Sequence, residues 1–288
     1  MGVFDGVHTG HAFVLAGVCR EAARRGLSSL AITFGTHPAT GVGRTPPPVL
    51  TLTDEKLPLL AATGVEQCCL LPFDGDMAAL TAREFMSSVL YDRLGVRVLV
   101  MGYNHRFGCE QSTDTSFYRA CGEACGIEVL RTERWGEASS SCIRHCLLDG
   151  HAKEAATLLG RPYSFEGTVV HGRKMGRQLG FPTANLHVPA TKLVPGGGVY
   201  AVLVELGDEQ FAGMMNIGTC PTFGSAGASQ PEVHILDFDR DIYGRQLRVH
   251  VIQRLRNEQR FSSAAALTQQ LEADCKTARE AVKEDASL

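Results

Sequence analysis

Two histidines three residues apart, His8 and His11, stand in "FDGVHTGH" (4–11) with Gly6 and Gly10 beside them. An imidazole N–H donates to a phosphate oxygen without adding a full charge. The stretch runs straight into an amphipathic segment, so both rings fall at the first turn of a helix. Backbone N–H groups are free there, and the dipole is positive. Phe4 precedes the turn, and the two glycines allow backbone to approach a ligand closely. The pattern suits charge growing on an α-phosphate under attack. The same two rings with His37 also make a three-imidazole set of the kind zinc accepts. A surface turn without chemistry is the third reading.

Three further segments leave strand-like runs or follow the last of them: "TFGTHP" (33–38) with His37, "GYNHRFG" (102–108) with Asn104, and "SSSCIR" (139–144). Ser139, Ser140, Ser141 and Arg144 supply hydroxyls and a guanidinium suited to a triphosphate. A second constellation stands in the other half. "GRQLGFPTANL" (176–186) offers Thr183 and Asn185 as oxygen ligands, the type Mg²⁺ prefers beside phosphates. "GTVVHGRKMG" (167–176), with Gly172 and Lys174, is a glycine-bracketed basic loop suited to covering phosphate. Glu232 opens an apolar alternating run, "PEVHILDF", where a carboxylate can take a proton from a hydroxyl or simply face water. No G-x-x-x-x-G-K-[ST] occurs, which excludes a P-loop kinase.

The elements that must position these groups fall into two rhythms. Residues 1–132 alternate: helix 10–26, strand 30–34, a helix through 54–64 broken or begun at Pro58, strand 65–71, helix 81–94, strand 96–102, helix 113–125 and strand 127–132. This predicts a doubly wound parallel α/β sheet with ligands beyond the strands' carboxyl ends. Residues 141–160 read as two short helices or a helical linker. Five strand-like runs and a helix over 262–282 then predict an antiparallel β-barrel with a C-terminal helix. Two domains, 1–150 and 151–288, are expected. Only Met1, Gly2 and Val3 precede Phe4, so the first strand is expected to be missing or very short.

The chain has 288 residues, 44% hydrophobic, with a net charge of −3. That balance gives no electrostatic argument for nucleic acid or an anionic membrane, and neither is expected as a partner. No apolar run reaches spanning length and no leader precedes the first motif, so a cytoplasmic protein is the expectation. The ten cysteines are expected to be reduced. Cys121/Cys125 and Cys142/Cys146 are spaced for one helix face each, and Cys68 and Cys69 sit in a strand.

"GVFDGVHTGH" (2–11) and "ASSSCIR" (138–144) resemble the G-x-F-D-G-x-H-x-G-H and I-S-S-T-x-I-R motifs of bacterial bifunctional FAD synthetases, the riboflavin kinase/FMN adenylyltransferases. "PTAN" (182–185), "NIGTCPTF" (216–223), "EVH" (232–234) before "DIYG" (241–244), and "RNEQRF" (256–261) resemble riboflavin kinase. The resemblance implies ATP-dependent conversion of riboflavin to FMN in the C-terminal half. It implies adenylylation of FMN to FAD, with pyrophosphate released, in the N-terminal half. It further implies Mg²⁺ with ATP at Thr183 and Asn185, Glu232 as base, and His8 and His11 at the α-phosphate. Phe4, Gly6, Gly10, Ser139, Ser140, Ser141, Arg144, Gly172 and Lys174 would serve ATP, and His37, Asn104 and Arg256 the flavin. Ser141 replaces the family's threonine with a hydroxyl retained, and Ala138 its isoleucine. A flavin-binding protein with an impaired first site, or a zinc protein, is the alternative; the oligomeric state is left open.

Overall fold

The computed structural model describes residues 1–35, 43, 45–172, 176, 179–218 and 231–285. His37 and Lys174 lie outside them. The chain divides into two compact units, Met1–Ala138 and Ser139–Leu288.

The first unit opens on a tight loop and α1 (Thr9–Arg25). His8 caps α1, Gly26 closes it at φ +63°, and Arg24 and Arg25 offset the dipole at its last turn. β1 (Leu30–Phe34) and β2 (Gln67–Leu71) pair in parallel around α2 (Thr53–Ala61). α2 does not break at Pro58, which sits inside it; the start is fixed at Leu52, whose N–H meets the Glu55 carboxylate at 2.7 Å. α3 (Gly75–Ala79) is short. α4 (Ala82–Glu84) starts from a Thr81–Glu84 capping box and runs on as a π-helix, Phe85–Arg93. β3 (Val98–Met101) and β4 (Glu128–Arg131) form a second parallel pair around α5 (Thr115–Cys125).

The strands are parallel as expected, but they stand as two two-stranded sheets rather than one. Between them lies a cavity of about 320 Å³ lined by Leu30 and Ile32 of β1, Val98 and Val100 of β3, and Val18 and Ala22 of α1. Residues 1–4 form no strand; their one ladder-like bond here runs from the Gly2 N–H to the Ile32 carbonyl at 2.9 Å. In β2 Cys68 is exposed and Cys69 half-buried.

The second unit begins with α6 (Ser140–Leu148) and α7 (Ala152–Leu159), which pack together. The end of α6 is pressed on the barrel. The Gly196 N–H donates to the Leu147 carbonyl at 2.9 Å, and a Cβ at Gly196 would fall 1.9 Å from the Leu148 oxygen. The compact division therefore comes before α6, ahead of the expected boundary at 150. Six strands close an antiparallel barrel in the order β10-β5-β6-β9-β8-β7. They are β5 (Tyr163–Val170), β6 (Ala184–His187), β7 (Gly198–Leu206), β8 (Glu209–Ile217), β9 (Pro231–Ile235) and β10 (Gln246–Arg256). The sequence reading has five runs; β6, a four-residue strand inside the P-T-A-N stretch, is the sixth. α8 (Ala264–Asp285) lays Ala278, Ala281 and Val282 on Ala201, Met214 and Ile252.

Candidate active sites

In the first unit the loop before α1 is strained. Phe4 and Val7 take φ of +50° and +39°, costly for any residue with a Cβ and most for a β-branched one. Gly6, at φ +83°, makes the turn. The loop is held by buried Asp5, whose Oδ1 accepts from the N–H groups of Leu50 and Thr51 at 2.8 and 3.0 Å. Buried Lys56 ties the carbonyls of Val3 and Phe34 at 3.1 and 3.2 Å. Burial draws its ammonium below the usual lysine range.

This loop aims the two histidines. Their rings stack at 3.7 Å with 20° between planes, and Phe4 meets His11 edge-on at 5.2 Å. His8 Nδ1 accepts from the His11 N–H at 3.4 Å, so the first ring caps the helix that carries the second. His11 Nδ1 is shut off from solvent and has no partner among the described residues. Burial first, then His8, then the N-terminal amine push His11 well below the usual imidazole value. It is a neutral donor at neutral pH.

The glycines serve the loop itself. The Gly6 N–H is given to Thr51 Oγ1 at 3.0 Å rather than left for a ligand. A Cβ at Gly10 would fall 3.1 Å from the His8 ring and 3.5 Å from the Ala138 carbonyl, so Gly10 makes room for imidazole. Phe4 is buried with Leu15, Ala31 and Leu60 in a core cluster. Near the same loop, Trp135 stacks on Phe13 of α1 at 4.5 Å, with 6° between planes.

A cavity of about 300 Å³ opens at the carboxyl ends of β1 and β3. Met1–Val3, Phe34, Phe73, Phe85, His105 and Phe107 line it. Asn104 is exposed in the same loop after β3.

Ser139, Ser140, Ser141 and Arg144 are gathered at the start of α6 in the second unit. Ser139 Oγ is the N-cap, accepting from the Cys142 N–H at 3.2 Å; Arg144 lies one turn further.

The barrel brings its candidates together more tightly. Asn185 of β6 stands directly opposite Glu232 of β9, and Glu232 opposite Asn216 of β8. Opposed residues share a face, so the three form one polar row across the strands. Thr183 Oγ1 lies 3.4 Å from Glu232 Oε2. The loop after β5 crosses this row: a Cβ at Gly172 would fall 2.2 Å from the Asn185 carboxamide, so any larger residue there must displace that side chain. A cavity of about 450 Å³ adjoins Thr183, with Val169, Phe238, Asp241 and Tyr243 in its wall. Arg256 stands apart from the row; it grips buried Asp274 of α8 at 2.9 and 2.8 Å.

Sequence reasoning passed over Asp5, Lys56, Asn216 and His105. A buried charge beside two histidines is the signal that could have found Asp5; "NIG" carried Asn216. Lys56, on an ordinary amphipathic segment, gave none. The described residues contain no group of three His, Cys, Asp or Glu able to hold a metal, and every cysteine among them is free.

A parallel α/β unit with an H-x-G-H turn, joined to a closed barrel with a Thr–Asn–Glu row, defines a two-part phosphate-transferring enzyme. The FAD synthetase family model matches residues 1–143, and the riboflavin kinase model residues 159–282. The bifunctional riboflavin kinase/FMN adenylyltransferase of Escherichia coli (strain K12) is 39% identical over 287 residues, covering 97% of this chain and 91% of the relative. That of Bacillus subtilis (strain 168) is 34% identical over 281 residues, covering 95% and 89%. A crystal structure described as a macrolide-efflux protein from Streptococcus pneumoniae superposes with a TM-score of 0.86 at 33% identity, covering 97% of this chain and 92% of the other. The chain belongs to the bifunctional riboflavin kinase/FMN adenylyltransferase family. It uses ATP to phosphorylate riboflavin and to adenylylate FMN. No helix among the described residues is long and apolar enough to cross a membrane.

Proposed function

We propose that the two reactions are divided between the histidine turn and the barrel row. In the barrel, Glu232 takes the proton of the riboflavin 5′-hydroxyl as its oxygen attacks the γ-phosphorus of ATP, and ADP leaves. Thr183 and Asn185 are hard oxygen donors beside that carboxylate, a set that fits Mg²⁺ shared with phosphate oxygens. When bound, the ion neutralises charge on the transferring group. The cavity beside Thr183 takes the nucleoside end of ATP.

In the first unit a phosphate oxygen of FMN attacks the α-phosphorus of ATP, and pyrophosphate leaves. That oxygen is already anionic, so no base is needed. His8 and His11 donate to the α-phosphate oxygens as charge gathers there. Ser139, Ser140, Ser141 and Arg144 hold the rest of the triphosphate by their likeness to the family motif. The phenylalanine-lined cavity takes the flavin ring, with Asn104 and His37 on the flavin side.

The observation that carries this reading is the stacked histidine pair at the mouth of α1, with one ring nitrogen of His11 buried and without a partner among the described residues. The test is incubation with riboflavin, ATP and Mg²⁺, then chromatography. The parent yields FMN and FAD. Chelating Mg²⁺ stops both steps, and replacing both histidines with alanine stops the second alone. FAD formed at the parent rate by that variant would overturn the assignment.

A further inference from the structure

His105 is used by nothing above. It follows β3 in "GYNHRFG", and its N–H donates to the Gly102 carbonyl at 3.1 Å. Its ring forms part of the wall of the 300 Å³ cavity. Its Nε2 is closed to solvent and has no hydrogen-bond partner among the described residues. The surrounding rings supply none: Phe107 lies 6.0 Å away by centroid, meeting Phe85 at 5.6 Å, while Phe34 meets Phe73 at 5.1 Å. A buried polar atom without a partner is costly and rare, and this one belongs to a residue in the cavity wall, where a small shift of the ring on binding would bring it to a ligand.

The shape of the chamber selects the occupant. It is lined largely by aromatic and aliphatic groups and lies near the lower end of ordinary ligand pockets, roughly 300–1,000 Å³. A flat ring system fits between phenylalanines. Adenine carries polar atoms around nearly its whole edge and would leave several unpaired. The isoalloxazine ring is divided, with an apolar dimethylbenzene end and a polar imide end. Only the imide end needs a partner, and the chamber offers one buried imidazole nitrogen.

Accepting the reading above, that this cavity holds the flavin of FMN, we propose that His105 hydrogen-bonds through Nε2 to the imide edge of the isoalloxazine and so sets the first unit's preference for flavin. The role is specificity, not chemistry, because the reacting phosphate lies at the other end of FMN. Burial holds the ring's pKa down to about 3, so it meets the flavin uncharged.

The test measures FAD formation from added FMN in the full chain. His105→Phe keeps an aromatic ring and removes both nitrogens. The expected result is a rise of about tenfold in KM for FMN, in line with losing one buried hydrogen bond. The kcat, the KM for ATP and the conversion of riboflavin to FMN stay at parent values. His105→Gln restores most of the loss. Independently of whether the variants fold, the parent chain should use FMN carrying a methyl at the imide nitrogen about tenfold less well than FMN. That penalty should vanish in His105→Phe. Phe73→Ala separates this inference from the reading beneath it. If Phe73→Ala raises KM for FMN while His105→Phe leaves it unchanged, the flavin is in the cavity and His105 does not select it. If neither changes it, the cavity is not the flavin's. A methyl penalty equal in parent and His105→Phe also overturns the contact.

Discussion

A single proton distinguishes the two reactions at the residue scale. The riboflavin hydroxyl must lose one and the FMN phosphate need not. Glu232→Gln keeps the shape of the row with Asn185 and Asn216 but removes the base. Conversion of riboflavin to FMN should fall about a hundred- to ten-thousandfold. Added FMN should still become FAD at near the parent rate, and assaying one preparation on both substrates checks this. The double replacement His8→Ala/His11→Ala should do the reverse: FMN accumulates while FAD formation drops at least about a hundredfold, as when positioned donors are lost at a charged transition state. These residues stood out in the sequence because H-x-G-H and P-T-A-N join unusual residue types at close spacing; the roles proposed for them come from the resemblance of those motifs. The functions of Gly6 and Gly10 were not legible there. Both read as openings for a ligand, whereas one feeds Thr51 and the other clears the His8 ring, and each depends on a neighbour no spacing rule identifies.

At the scale of elements, α1 is a helix whose first turn is built around a ring. Gly10→Ala should improve its helix propensity by up to about 1 kcal/mol. Yet the new Cβ would stand 3.1 Å from the His8 ring, which must shift by a few tenths of an ångström. The expected outcome is a first thermal transition that holds or rises while FAD formation falls about tenfold, since small misplacements are costly in a positioned site. Kinetics and calorimetry on one variant check it. The strand–helix alternation was readable from periodicity, and so was a barrel. What periodicity missed was β6, too short to alternate, and the separation of β1 from β3, a matter of pairing rather than pattern. That separation leaves strand edges unpaired and a slot lined by β1 and β3, with Val18 and Ala22 but also Glu21, Arg25 and Arg97 in its wall. A run of five or six β-branched residues fused ahead of Met1 should enter the slot and raise the first unit's melting temperature by several degrees. A polar run of equal length should not. Differential scanning calorimetry of the two fusions decides.

Taken whole, the molecule joins a closed barrel to a unit whose sheet is split, and two thermal transitions are expected with the first unit melting lower. Acid should widen the difference. His11 and His105 are both held below the usual imidazole value in the fold, His105 at about 3. A group depressed on folding takes up its proton first in the unfolded chain, so stability is lost as pH falls from about 6.5 toward the folded value. Each contributes up to about 1.4 kcal/mol per pH unit in that window. The lower transition should therefore drop by several degrees between pH 7 and pH 5, and calorimetry across that range measures it. A lower transition that stays level would show that these rings are not buried neutral in solution.

The stack of Trp135 on Phe13 gives the protein an optical asymmetry. Trp135 is the chain's single indole among 288 residues, and it belongs to the Met1–Ala138 unit. Excited at the red edge of the protein band, where tyrosine is dark, the molecule emits from that unit alone. Its emission spectrum will track the melting of the histidine turn while the barrel stays silent. Circular dichroism, which samples every peptide bond, will register both units. Recorded on the same sample, the two signals separate the adenylyltransferase half from the kinase half without a label or a truncation.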